Sequence, residues 1–513
     1  MKRTSSLVSV CTVLAAFAVL PSAALAEDTP SFVAIDPAAA LTGRTVVDLA
    51  DDVGPSEAAD LAARYGVQWT DNSPALHDDA NLFVGALGAA QLEALGHDPR
   101  VEGLEPETLV SASFVPNDPK YTTDQWHLTR VGAESAWEYG CGRGVTVAVI
   151  DTGVACFDKG PFNKGTDLAG TRCVPGYNFS GKSDDASDDH GHGTHVAGTI
   201  AQTTHNGMGT AGLAYCANLM PIKVLSGSGS GTNTDVAEGI RFAADHGAQI
   251  MNLSLGGPFP SAVIAKAVKH AQAKGVLVVA AAGNSGRSVG YPAAYEGVLA
   301  VSATDSNDGL AWFSSRGKQV GIGAPGVSVT QQTVCNGGLD RCEQFATWNG
   351  TSMATPHVAG AAALLVGNGI TDLEVVRRTL ESTARPKENA EHFGKGILDA
   401  GAAVRQNFLS HLWMRGLALV LALALVRRRI VKRGGAFSWG PAATLGALLA
   451  GVGLTAFAPL LGLLTKAASF GAEARLAAEL LSRPLGEWGL PLLGAGAQGF
   501  LVYGAAIPML ALT

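Results

Sequence analysis

Charge is scarce in this chain: Asp, Glu, Lys and Arg make up 16% of its 513 residues, and aromatic residues only 6%. Lys and Arg number 36 against 44 Asp and Glu, and no basic domain stands out, so no nucleic-acid partner is expected. Cysteine is sparse too. There are seven, with no C-x-x-C pair, which leaves a zinc or dithiol redox centre without support. In place of charge there is 47% hydrophobic residues, and the apolar excess is concentrated at the two ends. At this length two or more domains are expected.

The ends read as targeting and membrane sequence. Met1 to Ala26 carries Lys2 and Arg3, an apolar run from Leu7 to Leu20, then Ala24-Leu25-Ala26, the layout of a secretory signal peptide. Past Gln406 the composition shifts. Leu412 to Val426 is apolar except for Arg415 and short for a full crossing; Arg427, Arg428, Arg429, Lys432 and Arg433 follow it. Trp439 to Leu464 and Trp488 to Leu510 are each long enough to cross a bilayer. About three spans over 407–513 would tether the protein to membrane lipid, with the arginines in the cytoplasm and the body exported. The later spans lack acidic residues or histidines, which weakens a transport role.

Between the ends, four stretches carry chemistry. Asn349-Gly350-Thr351-Ser352 is a small-residue loop, and the apolar run Ala359 to Val366 reads as a buried helix, so Ser352 sits where a loop becomes a helix. A hydroxyl there has free backbone N–H groups and a positive dipole end beside it; it can be a nucleophile or a cap. Val145 to Ile150 is a β-branched run of parallel-strand type ending on the carboxylate of Asp151. His192 precedes an apolar helical segment, and Gly275 to Ala282 is a second buried strand opening into the turn that holds Asn284.

Carboxylate, imidazole, amide and hydroxyl in this order resemble the subtilisin-like serine peptidases, over about Pro116 to Gln406. The resemblance implies an α/β fold, a parallel sheet flanked by helices. It also implies an endopeptidase acting through an acyl-enzyme on polypeptide substrates. His192, oriented by Asp151, takes the Ser352 proton, and Asn284 with the Ser352 backbone N–H holds the oxyanion. His195 then reads as a packed helix residue, and the acidic run Asp184 to Asp189 as a solvated loop rather than a second metal site. The loop Ser228, Gly229, Ser230, Gly231 would supply an edge strand to the substrate backbone. Ser254, Leu255 and Gly256 would form the opposing edge, with Gly290 at the pocket floor.

The opening Pro116-Asn117-Asp118-Pro119 and the loop Thr203 to Gly212 resemble the thermitase-like branch, which implies structural calcium. Its ligands would be the side chains of Asp118, Asp167 and Asn206 with the carbonyls of Thr203, Met208 and Thr210. Residues 27–115 look like a propeptide, a small α+β domain that assists folding and then inhibits the enzyme until cut away. The catalytic domain would be 116–406. Without Cys11 of the leader, six cysteines admit fifteen pairings, or free buried thiols; the pairing expected is Cys141 with Cys216, Cys156 with Cys173 and Cys335 with Cys342. The rival readings are a catalytically silent peptide-binding relative and a membrane docking or signalling protein.

Overall fold

Runs of β-branched and small apolar residues set the main sheet. The computed structural model describes residues 41–50, 52–71, 81–108, 114–156, 166–334, 344–434 and 472–481. The chain divides into two compact units, 1–111 and 112–513. In the first, strands β1 (Leu41–Leu49), β2 (Trp69–Asp71), β3 (Asn81–Gly85) and β4 (Val101–Thr108) form an antiparallel sheet in the order β2-β3-β1-β4. Val47 and Leu49 of β1 are buried while Val46 and Asp48 are only partly so, and the buried pair packs with Ala58 and Leu61 of helix α1 (Pro55–Tyr65), the pattern of a sheet with one covered face. This unit also holds α2 (Ala89–Leu95).

The second unit is built on a seven-stranded parallel sheet in the order β11-β10-β9-β8-β5-β7-β6. Its strands are β5 (Thr146–Asp151), β6 (Tyr177–Asn178), β7 (Asn218–Lys223), β8 (Ile250–Leu253), β9 (Leu277–Ala281), β10 (Leu299–Thr304) and β11 (Val320–Pro325). The strands are apolar without alternation because both faces are covered. Val147 and Val149 pack on one side with α3 (His192–Ala201), and Ala148 and Ile150 on the other with α4 (Asn233–Asp245) and α5 (Ala262–Ala273). A two-stranded antiparallel ribbon, β12 (Val329–Gln332) with β13 (Phe345–Trp348), precedes α6 (Thr351–Gly367), which lies across β8 to β11 and against α3. Chain order reverses at β5, which lies between β8 and β7, and in such sheets the crevice at the strand ends beside a reversal is where ligands bind.

Two expected disulfides are present, Cys141–Cys216 and Cys156–Cys173; Cys335 and Cys342 lie outside the described residues. The larger unit starts earlier than the expected Pro116. Phe114 is buried in its core, edge-on to Trp137 at 5.8 Å and tilted against His205 at 5.1 Å.

Of the three expected C-terminal spans, only the first falls within the described residues. Among the described residues no helix is long and apolar enough to cross a membrane. Leu412 to Val426 is the later part of one continuous helix, α7 (Ala400–Lys432), whose first turns are anchored by buried Ala403 and Val404 in the core of the larger unit. Fifteen residues of helix rise only about 22 Å, against a hydrocarbon thickness of roughly 30 Å. The leader at 1–26 and the runs from Trp439 and Trp488 lie outside the described residues.

Candidate active site

Asp151 ends β5 and is fully buried. Its Oδ1 accepts from the Thr152 N–H at 2.7 Å and faces His192 Nδ1 at 2.7 Å. His192 is the first residue of α3, and Gly191 before it adopts φ +101°, where a Cβ would also meet the Thr333 hydroxyl at 2.2 Å. Only glycine allows so tight an entry. Burial acts most strongly on the imidazole and pulls its pKa down, but the charge and hydrogen bond of Asp151, with the charge of Asp188, outweigh it and leave the pKa raised.

Ser352 is the second residue of α6. Its hydroxyl donates to the Ser254 carbonyl at 3.0 Å, and the Ser254 hydroxyl donates back to the Ser352 carbonyl at 2.8 Å. The second bond has a local cause. Pro356, four residues on, has no N–H to offer the Ser352 carbonyl, so the helix leaves that acceptor to a partner from the β8 end. The Ser352 hydrogen is thus directed at Ser254 and not at His192; a turn of the serine side chain is required before the imidazole can take the proton.

Asn284 follows β9, on a turn where Gly283 has φ +108°. Its Oδ1 accepts from both the N–H and the hydroxyl of Thr351, each at 2.9 Å. With the oxygen held by two donors, the amide's orientation is fixed and its NH2 is left for an outside acceptor. Asn284 Nδ2 lies 3.5 Å from the Cβ position of Gly350, next to the Ser352 loop.

A cleft of about 750 Å³ opens beside these groups, lined by His192, Ser254, Leu255, Gly256 and the loop Ser228, Gly229, Ser230, Gly231. Two expectations change. The loop is not an extended edge strand but a closed turn, in which the Ser226 N–H bonds the Ser230 carbonyl at 2.9 Å and Gly229 takes φ +74°. Gly290 is not among the lining residues: its N–H bonds the Ala282 carbonyl at 2.9 Å, and the Gly257 carbonyl fills its Cβ position to 3.0 Å. Tyr291 and Pro292 line the cleft in its place, as does Phe259, which is 82% exposed.

Elsewhere, Asp118 and Asp167 are both buried. Asp118 Oδ2 accepts from the His205 N–H at 2.7 Å; Asp167 accepts from Asn206 Nδ2 at 2.8 Å and the Thr210 N–H at 2.9 Å. Burial raises both carboxyls, Asp167 to about 6, with the charge of Asp118 adding to the rise. Neither has a basic side-chain partner at ion-pair distance among the described residues. No group of three or more His, Cys, Asp or Glu is poised for a metal among them either, so the carboxylates here number only two. Met208 joins the loop through its N–H to Asn206 Oδ1 at 2.9 Å. The Thr203 hydroxyl is engaged with the Gly170 N–H at 3.1 Å and Thr171 at 3.0 Å.

Sequence patterning missed Asp188. The acidic run before His192 is not wholly solvated: Asp188 is fully buried and accepts five hydrogen bonds, from Thr152, His190, Gly191 and twice from Thr194. The reading of His195 as a packing residue agrees with its full burial, its Nε2 at 3.0 Å from the Ala346 carbonyl and its stacking on Trp348 at 4.5 Å.

The Subtilase family's sequence profile matches residues 142–396. A thermophilic serine proteinase of Bacillus sp. (strain AK1) is 38% identical over 344 residues, 67% of this chain and 82% of that protein. The chain belongs to the subtilase family of serine endopeptidases. Thermitase of Thermoactinomyces vulgaris is 39% identical to this subtilase over 57% of its chain and 100% of thermitase. An alkaline protease of Shouchella clausii is 41% identical over 62% of this chain and 78% of that protein. Among solved structures, one of proteases from Pseudoalteromonas arctica superposes with a TM-score of 0.50 at 32% identity, covering 57% of this subtilase and 99% of its own chain.

Proposed function

We propose that this subtilase hydrolyses peptide bonds by acyl transfer to Ser352, with His192 as general base and then general acid, and Asp151 holding the imidazole's tautomer. The observation that carries the assignment is the 2.7 Å contact between buried Asp151 Oδ1 and Nδ1 of His192, which lines the cleft. Attack begins when the Ser352 hydroxyl turns from the Ser254 carbonyl to His192 Nε2 and the oxygen closes on the scissile carbon. The Asn284 NH2, pinned by Thr351, and the Ser352 N–H at the start of α6 stabilise the oxyanion. Ser254, Leu255 and Gly256 bind the extended substrate backbone, which favours broad sequence tolerance, and the Ser228–Gly231 turn lines the cleft.

The buried carboxylates of Asp118 and Asp167 bind calcium with Asn206 and the carbonyls of Thr203, Met208 and Thr210. Two uncompensated carboxylates with amide and carbonyl oxygens suit a hard cation that accepts six to eight such ligands. When bound, the ion neutralises the pair and pins the loop after α3 to the domain's opening segment. The N-terminal segment from 27 to about 111, ahead of the core residue Phe114, acts as an inhibitory propeptide removed by the enzyme itself. The leader at 1–26 exports the chain, and the apolar runs from Trp439 and Trp488 tether it to the membrane.

One expression experiment tests the scheme. Ser352→Ala should be inactive and accumulate as a precursor that retains that N-terminal segment, in the membrane fraction. A Ser352→Ala protein that matures normally when expressed alone removes self-processing, and recovery of the full-length precursor in the soluble exported fraction removes the tether.

A further inference from the structure

Behind the Asp151–His192 pair lies a second buried carboxylate, and resting on the acyl-transfer reading above, we infer that Asp188 is a positioning residue for that pair. It fixes Asp151 through Thr152, fixes His192 through the first turn of α3, and lends its negative charge to the imidazolium formed during attack.

Five donors converge on Asp188, none from a basic side chain. Oδ1 accepts from the Thr152 hydroxyl at 2.9 Å and from the His190 and Gly191 N–H groups at 2.9 and 3.0 Å. Oδ2 accepts from the Thr194 N–H at 2.9 Å and its hydroxyl at 2.7 Å. A fully buried carboxylate persists only when its oxygens are satisfied, and here neutral donors satisfy them and leave its charge uncancelled.

A cap for α3 would need only the bonds to Gly191 and Thr194. The Thr152 bond is not part of that cap, and Thr152 is held on every polar atom. Its N–H donates to Asp151 Oδ1 at 2.7 Å, its hydroxyl donates to Asp188 and accepts from the Gly193 N–H at 2.9 Å, and its carbonyl accepts from Lys223 Nζ at 2.6 Å. The path therefore runs from Asp188 through one residue to the oxygen that faces His192. Other charged and titratable groups near His192 have other roles. Lys223 is paired with Asp189 at 2.6 Å, the His190 ring lies 6.3 Å from the His192 ring, and buried His195 stacks on Trp348. The raised pKa of His192 agrees in sign, with Asp188 contributing after burial and Asp151.

The test is the pH profile of kcat/KM on a chromogenic peptide, normalised to sites counted with a covalent serine reagent. Asp188→Asn keeps the shape and removes the charge; its acid limb should move to lower pH, and its kcat should fall about tenfold, the scale for losing an outer partner of a positioned histidine. Thr194→Val weakens the cap and keeps the charge; its melting temperature should fall with the acid limb in place. An Asp188→Asn limb that superposes on wild type overturns the inference, as does an equal shift in Thr194→Val. If Asp188→Asn yields too few sites to titrate, Thr152→Val decides, since it breaks the link while Asp188 keeps its bonds to Gly191 and Thr194; unchanged kcat there also overturns it. Turnover by Ser352→Ala would instead sink the acyl-transfer reading, whatever Asp188 does.

Discussion

Thr351→Val probes how the oxyanion donor is held. Thr351 is fully buried, and valine fills the same space without the hydroxyl. The change removes one of the two bonds on Asn284 Oδ1 and also strips the Gly283 N–H of its acceptor at 3.2 Å. A hydrogen bond of this kind contributes about 0.5–1.5 kcal/mol net. If that energy biases the amide towards its productive orientation, and ~1.4 kcal/mol is tenfold in rate, kcat should fall roughly two- to tenfold with KM little changed. Asn284→Ala removes the donor outright and should cost about 10²–10³-fold, the loss found for the equivalent amide of subtilisin. The assay is steady-state turnover of a chromogenic peptide by all four members of the cycle. The double variant should be no slower than Asn284→Ala alone, since Thr351 acts only through that amide. Two results refute the reasoning: full kcat in Thr351→Val, or losses that multiply in the double variant.

Calcium at saturating excess, about a hundredfold over its Kd, should stabilise the protein by ~2.7 kcal/mol, or about 5–10 °C in thermal unfolding, relative to excess chelator. Asp167→Asn should abolish the increment; an increment that survives it places the ion elsewhere. His195 and His357 are buried with pKa values held down to about 3 and about 4, and His127, whose Nδ1 faces His357 Nε2 at 2.7 Å, lies well below the ordinary value, all chiefly through burial. These imidazoles stay neutral when folded and take protons when unfolded below pH ~6.5, so their contribution to stability is present above that pH and is lost as pH falls towards the folded values. Urea midpoints should drop between pH 7 and 5, and drop less in His195→Gln. Equal losses in both proteins would contradict the assignment.

Local chemistry sufficed wherever a residue's environment is set by its neighbours in sequence. Val145 to Ile150 has to be a strand buried on both faces, so Asp151 has to stand at its end. The loop before Ala359 has to give way to a helix, so Ser352 has to sit at its start, and His192 has to open the apolar turn that follows it. Composition likewise offered no basic domain to suggest a nucleic-acid partner. Tertiary structure decided what depends on distant segments meeting. An acidic run reads as solvated until five donors close over Asp188, one of them from Thr152 in another segment. The Ser-Gly repeat at 226–231 permits strand or turn, and the Ser226–Ser230 bond selects the turn. Ser254 and Ser352, 98 residues apart, exchange hydrogen bonds because the end of β8 passes the start of α6, where Pro356 leaves the Ser352 carbonyl open. A linear pattern carries the identity of each group but not the low-dielectric surroundings that set its charge, because those are supplied by chain folded in from elsewhere.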